Sequence, residues 1–164
     1  MPGTEKRSFY DAGLCFSCLR CSACCRYESG YVFLSRIDVA ILAETLKMGY
    51  TEFMETYCRW ISSGRRADRL SLKEKSNYDC IFWGSFRNSG QGGGCGVYES
   101  RPLQCRAFPF WRSALDSEGD WKELAAGCPG MDKGAFHPGR EIEAWLEKQD
   151  AEPAITRTGA KGGI

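Results

Sequence analysis

The chain has one histidine, His137, among 164 residues, and this scarcity removes most imidazole-based acid-base and metal chemistry. Flanked by Phe136 and Pro138, His137 is expected in a loop. No run of eighteen apolar residues occurs, so no membrane span is expected. The opening residues MPGTEKRSFYDAG lack the apolar stretch of a secretory signal, and the expectation is a cytoplasmic protein whose thiols stay reduced. An excess of one charge is missing too: 22 Lys and Arg stand against 21 Asp and Glu, without the basic surplus that nucleic-acid binding needs. The serine elbow G-x-S-x-G and the Walker phosphate loop are both absent. The glycine-rich run Gly90–Gly96 has no following lysine and helix, so it is expected to be a turn. No internal repeat is present.

Cysteine is what the chain has in quantity, with ten residues. Cys15, Cys18, Cys21, Cys24 and Cys25 crowd into eleven positions, and Cys58, Cys80, Cys95, Cys105 and Cys128 follow singly. A chain of this length with 43% hydrophobic residues can build a core without cross-links, so the thiols are free for other work. The expected fold is α+β, a small single domain with a few helices and short strands organised around cysteine-ligated metal. Residues 1–14 are expected to be a flexible lead, 15–149 the metal-binding domain and 150–164 a disordered tail.

Local signals place the elements. Tyr31–Leu34 is expected to be a strand, and Ser35 with Asp38 forms a capping box for a helix from Arg36 to about Lys47 that buries Ile37, Ala40, Ile41 and Leu46. Thr51 is expected to cap a second helix from Glu52 to Ile61, placing Phe53, Tyr57 and Trp60 on one face and Cys58 in the core. Leu70 and Leu72 alternate as in a half-buried strand, and Cys80–Trp83 is a second strand joined to Cys95 through the SGQGGG turn. Ser100 and Pro102 start a helical turn that Pro109 ends, and a last helix from Arg140 to Lys148 turns Ile142, Trp145 and Leu146 inward. Arg65, Arg66 and Arg69 make a small solvated basic patch.

Cys18, Cys21 and Cys24 recur at the interval that lets one loop aim its N–H groups at shared sulfurs. Cys128, followed by Pro129 and Gly130, resembles the remote Cys-Pro that completes some ferredoxin sites. Cys15, Cys18, Cys21 and Cys25 match the bacterial ferredoxin interval, although Arg26 stands where that run has proline. Adjacent side chains at Cys24 and Cys25 are expected to diverge, one joining a first centre and the other a second with Cys80, Cys95 and Cys105. Zinc normally uses two knuckles from separate loops, whereas only one is present, so the spacing favours iron-sulfur over zinc. The radical S-adenosylmethionine triplet is excluded because Glu28 occupies its third position. Arg101 and Arg106 flank Cys105 and are placed to offset an anionic centre or bind an anionic substrate, with ordinary carboxylate pairing as the alternative. Two four-thiolate sites would each carry a charge of about −2. Tyr98, Phe108, Phe110 and Trp111 are expected to shield the sulfurs, or simply to form core.

Three blocks together resemble the YkgJ-type cysteine-cluster (CxxCxxCC) family of zinc- or iron-chelating domains: Phe16-x-Cys18-x2-Cys21-x2-Cys24-Cys25, Cys95-Gly96-Val97-Tyr98-x2-Arg101-Pro102-x2-Cys105-Arg106-x-Phe108-Pro109-Phe110, and Cys128-Pro129-Gly130. The similarity covers roughly residues 16–134, and a similar block occurs in flagellin lysine N-methylase-like proteins. It implies a small bacterial or archaeal metal-binding protein whose ligands are Cys18, Cys21, Cys24, Cys25, Cys80, Cys95, Cys105 and Cys128, with Cys15 and Cys58 outside the pattern. Ser22 stands where the family often has glycine, which implies a turn without positive φ there. An iron-sulfur-dependent lysine-methylase-like enzyme or its redox partner is one alternative implied, and a zinc-stapled interaction module is the other. A protein partner or substrate is compatible with each.

Overall fold

The computed structural model describes residues 7–64, 66–84 and 92–158. In chain order the elements are β1 (Leu14–Phe16), α1 (Arg36–Thr45), α2 (Tyr50–Tyr57), β2 (Cys58–Ser63), β3 (Arg66–Leu72), β4 (Trp83–Gly84), β5 (Gly94–Cys95), α3 (Leu103–Ala107), α4 (Arg112–Leu115), α5 (Glu118–Ala126), β6 (Met131–His137), α6 (Gly139–Ala151) and β7 (Thr156–Arg157). The fold is α+β, with short antiparallel strands. Its described residues group into two compact units. Unit 1 takes Met1–Cys21 and Ala107–Asp150, and unit 2 takes Ser22–Arg106 and Ala151–Ile164, each over its described residues.

Unit 2 is built on a three-stranded antiparallel sheet in the order β2-β3-β7, under α1 and α2. Leu34, Val39, Leu42, Phe53, Leu70, Leu72, Phe82 and Val97 form its core, with Cys58 buried as expected. The Ser35 capping box forms: Ser35 Oγ accepts from the Asp38 N–H at 3.1 Å, and the Ser35 N–H donates to Asp38 Oδ2 at 2.9 Å. The buried face of α1 differs from expectation. Ile37 and Ile41 are 49% and 40% exposed, while Asp38, Val39, Leu42 and Ala43 are buried. Residues 39–43 are all apolar, so periodicity alone cannot select a face, and Asp38 settles it by accepting the Leu103 N–H at 2.8 Å.

The expected second helix starts after Gly49 rather than Thr51, with the Gly49 N–H donating to Glu52 Oε2, and it stops at Tyr57. Beyond it Cys58–Ser63 is strand β2, with Cys58 opposite Leu72 and Trp60 opposite Leu70. Cross-strand packing of large apolar side chains overrides the helical pattern there. Tyr31–Leu34 forms only a bridge from Phe33 to Ser71, and Cys80 is likewise bridged, to Glu74, outside a strand. The expected hairpin is present, Trp83 facing Cys95 and Gly84 facing Gly94, although residues 89–91 of the SGQGGG turn lie outside the described residues.

Part of the expected disordered tail is built into the sheet. The Ile155 N–H donates to the Leu34 carbonyl at 2.8 Å, the Leu70 N–H donates to the Ile155 carbonyl at 2.9 Å, and β7 pairs with β3. Burial of Ile155 and the Arg157–Asp68 ion pair hold it there. Residues 159–164, Arg65 and residues 1–6 lie outside the described residues. Arg66 is exposed, and Arg69 lies over the Phe33 ring at 3.7 Å.

Unit 1 packs β1, β6 and the helices α4, α5 and α6 around Tyr10, Phe16, Phe110, Leu115, Trp121, Met131, Ile142 and Leu146. Tyr10 is buried and Leu14 begins β1, so the end of the expected flexible lead is ordered by apolar burial. β1 pairs antiparallel with β6, Leu14 opposite His137 and Cys15 opposite Phe136. Helix α6 buries Ile142 and Leu146 as expected, with Trp145 half-buried. His137 is a strand residue rather than a loop residue. Its Nδ1 lies 2.8 Å from Glu141 and its Nε2 2.9 Å from the Phe16 carbonyl, so the imidazole stitches β1, β6 and α6 together.

Candidate metal centre

None of the ten cysteines forms a disulfide. The eight ligands implied by the resemblance divide between the units: Cys18, Cys21 and Cys128 in unit 1, and Cys24, Cys25, Cys80, Cys95 and Cys105 in unit 2. Among the described residues, no three His, Cys, Asp or Glu side chains stand together as a ready-made metal cage.

In unit 2, Cys24 and Cys25 lie in a 3-10 turn over Ala23–Cys25. Their side chains do not diverge as expected: the two Sγ atoms are 3.7 Å apart. The turn is entered through Ser22 at φ +64°, a left-handed backbone where the resemblance implied none, and the Cys25 N–H donates to the Ser22 carbonyl at 2.9 Å. The Cys80 N–H donates to the Cys25 carbonyl at 2.8 Å, which brings the Cys80 segment against the 3-10 turn. Cys95 sits on β5 opposite Trp83, with the Gly96 N–H donating to the Phe82 carbonyl at 2.8 Å, and Cys105 lies in α3.

The unit 2 thiols influence one another. Burial pushes Cys105 up, and charge on Cys80, Cys24 or Cys95 pushes it further, while Arg101 pulls it down. Cys80 is raised chiefly by burial and also by charge on Cys95 or Cys24, and Cys95 chiefly by burial and also by charge on Cys24. The Cys24–Cys25 hydrogen bond splits that pair: it holds Cys24 down at about 7, with help from a backbone N–H and Arg101, and drives Cys25 up. Proton or cation must neutralise such a set, because several like charges cannot ionise together in a poorly solvated space.

Arg101 directly follows the 3-10 turn Tyr98–Ser100. Its charge favours thiolate at Cys24, Cys95 and Cys105, and among the described residues it forms no ion pair with a carboxylate. Its Nε donates to the Tyr98 carbonyl at 2.8 Å, and its guanidinium stacks on the Tyr98 ring at 3.7 Å. Arg106 supports it from below, its Nε donating to the Arg101 carbonyl at 3.0 Å. Phe108 and Phe110 serve the core of unit 1 instead, edge-on to Phe16, with Phe110 stacked on Trp121.

In unit 1 the Ser17 N–H donates to the Gly130 carbonyl at 3.1 Å, tying the residue before Cys18 to the residue two after Cys128. The approach is close enough that a Cβ on Gly130 would lie 2.2 Å from the Ser17 carbonyl oxygen, so only glycine fits. Cys18 Sγ accepts from the Arg20 N–H at 3.4 Å, in the manner of a loop that turns its amides toward sulfur. Cys18 and Cys21 are exposed and Cys128 is half-buried against the core. Cys15 is paired into β1, and burial pushes Cys58 up to about 12.

Sequence reasoning missed three residues here. Arg26 pairs with Asp79 and lies over Trp83, with Arg26 directly after Cys25 and Asp79 directly before Cys80. Opposite charges, each adjacent to a ligand candidate, were the available signal.

The profile of the CxxCxxCC family, described as "Putative zinc- or iron-chelating domain", matches residues 17–129. No solved structure matches the chain.

Proposed function

Since the chain belongs to the CxxCxxCC family of zinc- or iron-chelating domains, we propose that unit 2 holds a single thiolate-ligated ion, zinc or iron, with Cys24 and Cys25 as one edge of its coordination tetrahedron. The 3.7 Å Sγ···Sγ separation carries this reading. Metal–sulfur bonds of about 2.3 Å at tetrahedral angles put ligand sulfurs about 3.8 Å apart, whereas each thiolate of an iron-sulfur cubane takes its own iron. Cys105 and one of Cys80 and Cys95 supply the remaining two corners. The donor set fits such an ion because four-sulfur tetrahedral sites select zinc or iron. The ion supplies the positive charge that lets buried thiols ionise together, and Arg101 offsets the negative charge that remains.

Binding draws in side chains that do not form a cage beforehand, so metal affinity and folding are linked, and protons leave as the ion enters. The reading is of a structural or metal-handling protein in a reducing, cytoplasmic setting. A second reading applies to unit 1, where Cys18, Cys21 and Cys128 share one compact unit with Cys15. These four combine the two-residue intervals with the remote Cys-Pro, which favours an iron-sulfur cluster there.

The test is elemental and sulfide analysis of oxygen-protected protein, with its absorption spectrum, for wild type and Cys105→Ser. At least one zinc or iron per wild-type chain is expected. Cys105→Ser is expected to weaken the unit 2 ion by more than about 1000-fold, equivalent to about 4 kcal/mol. Acid-labile sulfide that disappears with Cys18→Ser and persists in Cys105→Ser supports the second reading. Wild-type protein with less than one metal per chain would refute both.

A further inference from the structure

We propose that Arg26 is a positioning residue for the unit 2 centre: with Asp79 and Trp83 it latches three cysteine-bearing segments together before any ion arrives. The inference rests on the metal reading of the unit 2 thiols and assigns a role to residues outside the ligand pattern. Arg26 Nε lies 3.1 Å from Asp79 Oδ1, joining the residue after Cys25 to the residue before Cys80. Asp79 is only 4% exposed, and its second oxygen accepts from Asn77 Nδ2 at 2.9 Å. The face of the same guanidinium lies 3.6 Å from the Trp83 ring, and the Tyr27 ring is 4.8 Å away. Trp83 in turn faces Cys95 across β4 and β5, and Lys75 Nζ donates to the Trp83 carbonyl.

One planar cation thus reaches the segments of Cys25, Cys80 and Cys95. The Cys80-to-Cys25 backbone bond of 2.8 Å runs alongside the ion pair, so the latch fixes register as well as proximity. Arginine is suited to this task because its fork binds the carboxylate while its flat faces stack, and lysine can do only the first. Removing the guanidinium strands a buried carboxylate, which then either shifts toward water or takes a proton, and both loosen the Cys80 segment. Because Arg26 and Asp79 neutralise each other, the latch leaves the charge of the thiolates to Arg101. Its contribution is geometric and is expected in affinity and ligand-field geometry.

The test uses the full chain in a Cys18→Ser/Cys21→Ser background, so that only unit 2 loads, and compares Arg26 with Arg26→Gln and Arg26→Lys. Zinc affinity is measured by competition with a chromogenic chelator. Cobalt(II) substitution reports the tetrahedral geometry through its thiolate charge-transfer and d–d bands, and near-ultraviolet circular dichroism follows the metal-free fold. Arg26→Gln is expected to lower zinc affinity about 10–100-fold and to shift the cobalt bands, as outer-sphere partners of metal ligands do. Arg26→Lys is expected to recover only part of the loss. If Arg26→Gln fails to fold, Arg26→Lys carries the test by the same criteria. Affinity within about twofold of the parent, with unchanged cobalt bands, overturns the latch while leaving the metal reading intact. A parent that binds neither ion overturns the metal reading and this inference with it.

Discussion

In the unit built on Phe53 and Leu70, Cys80 and Cys95 pack against the apolar core, whereas in the unit built on Trp121 and Ile142 the ligand candidates Cys18 and Cys21 are exposed. The same residue type therefore meets two different solvation problems. A thiol against a core is held protonated by desolvation and ionises only when a cation replaces the proton. A thiol in water needs the chain only to hold it in place. Unit 2 accordingly sets the Arg101 cation beside its thiols, while unit 1 relies on a tight backbone contact between Ser17 and Gly130.

The comparison is probed most severely through the two cores. Phe53→Ala and Phe110→Ala each remove a ring that is almost fully buried, and each is expected to cost about 3–5 kcal/mol. Amide exchange should show Phe53→Ala opening β3 first and Phe110→Ala opening β6 first. Equal loss of protection in both strands from either variant would show that the two regions unfold as one.

A smaller effect is expected from Gly130→Ala, whose new methyl group meets the Ser17 backbone. About 1–3 kcal/mol of destabilisation is expected, as for other forced overpacking. Metal bound through Cys18 and Cys128 should be lost, with the cobalt bands of unit 2 unchanged. Wild-type metal content in this variant would separate the Ser17–Gly130 contact from the thiols beside it.

Cys58 isolates the effect of burial on a thiol outside the ligand pattern. Burial pushes its thiol up to about 12 in the folded chain against an ordinary value of 9.0, so above pH 9 the unfolded state loses its proton first. The contribution is fully present below pH 9 and lost as pH rises toward 12. Between pH 7 and pH 10, metal-free wild type should lose about 1.4 kcal/mol more than Cys58→Val in urea unfolding. Parallel pH profiles for the two proteins would remove desolvation as the cause of the shift.

The smallest effect concerns the entry to the 3-10 turn. Ser22 holds φ +64°, and glycine relieves that strain at some cost in unfolded-chain entropy. Ser22→Gly is expected to stabilise unit 2 by about 0.5 kcal/mol in the metal-free protein. A loss of stability on this substitution would mean that the serine side chain supports the turn.

Much of the local structure was legible in the sequence. The Ser35 capping box, the strand through Leu70 and Leu72, the hairpin from Trp83 to Cys95 and the inward face of the last helix all follow from signals close together in the chain, although Ser71, between the two leucines, is buried rather than exposed. Where neighbours in sequence disagreed with neighbours in space, the expectation failed. The helical pattern through Trp60 gave way to strand pairing with Leu70, and the supposed tail supplied Ile155 to the core because Leu34 and Leu70 offered it backbone partners. At the candidate centre the cysteines announced themselves by spacing, yet the Arg26–Asp79 pair spans 53 positions and leaves no periodic trace.

The sequence by itself determined that this is a thiol-rich α+β protein of the CxxCxxCC family, because ligand type, short-range spacing and caps are written in adjacent residues. Tertiary structure alone decided that the candidate ligands fall into two units, that Cys24 and Cys25 meet at their sulfurs, and which thiols burial holds protonated. Those outcomes depend on desolvation and on charges brought together from distant segments, which exist only once the chain has folded.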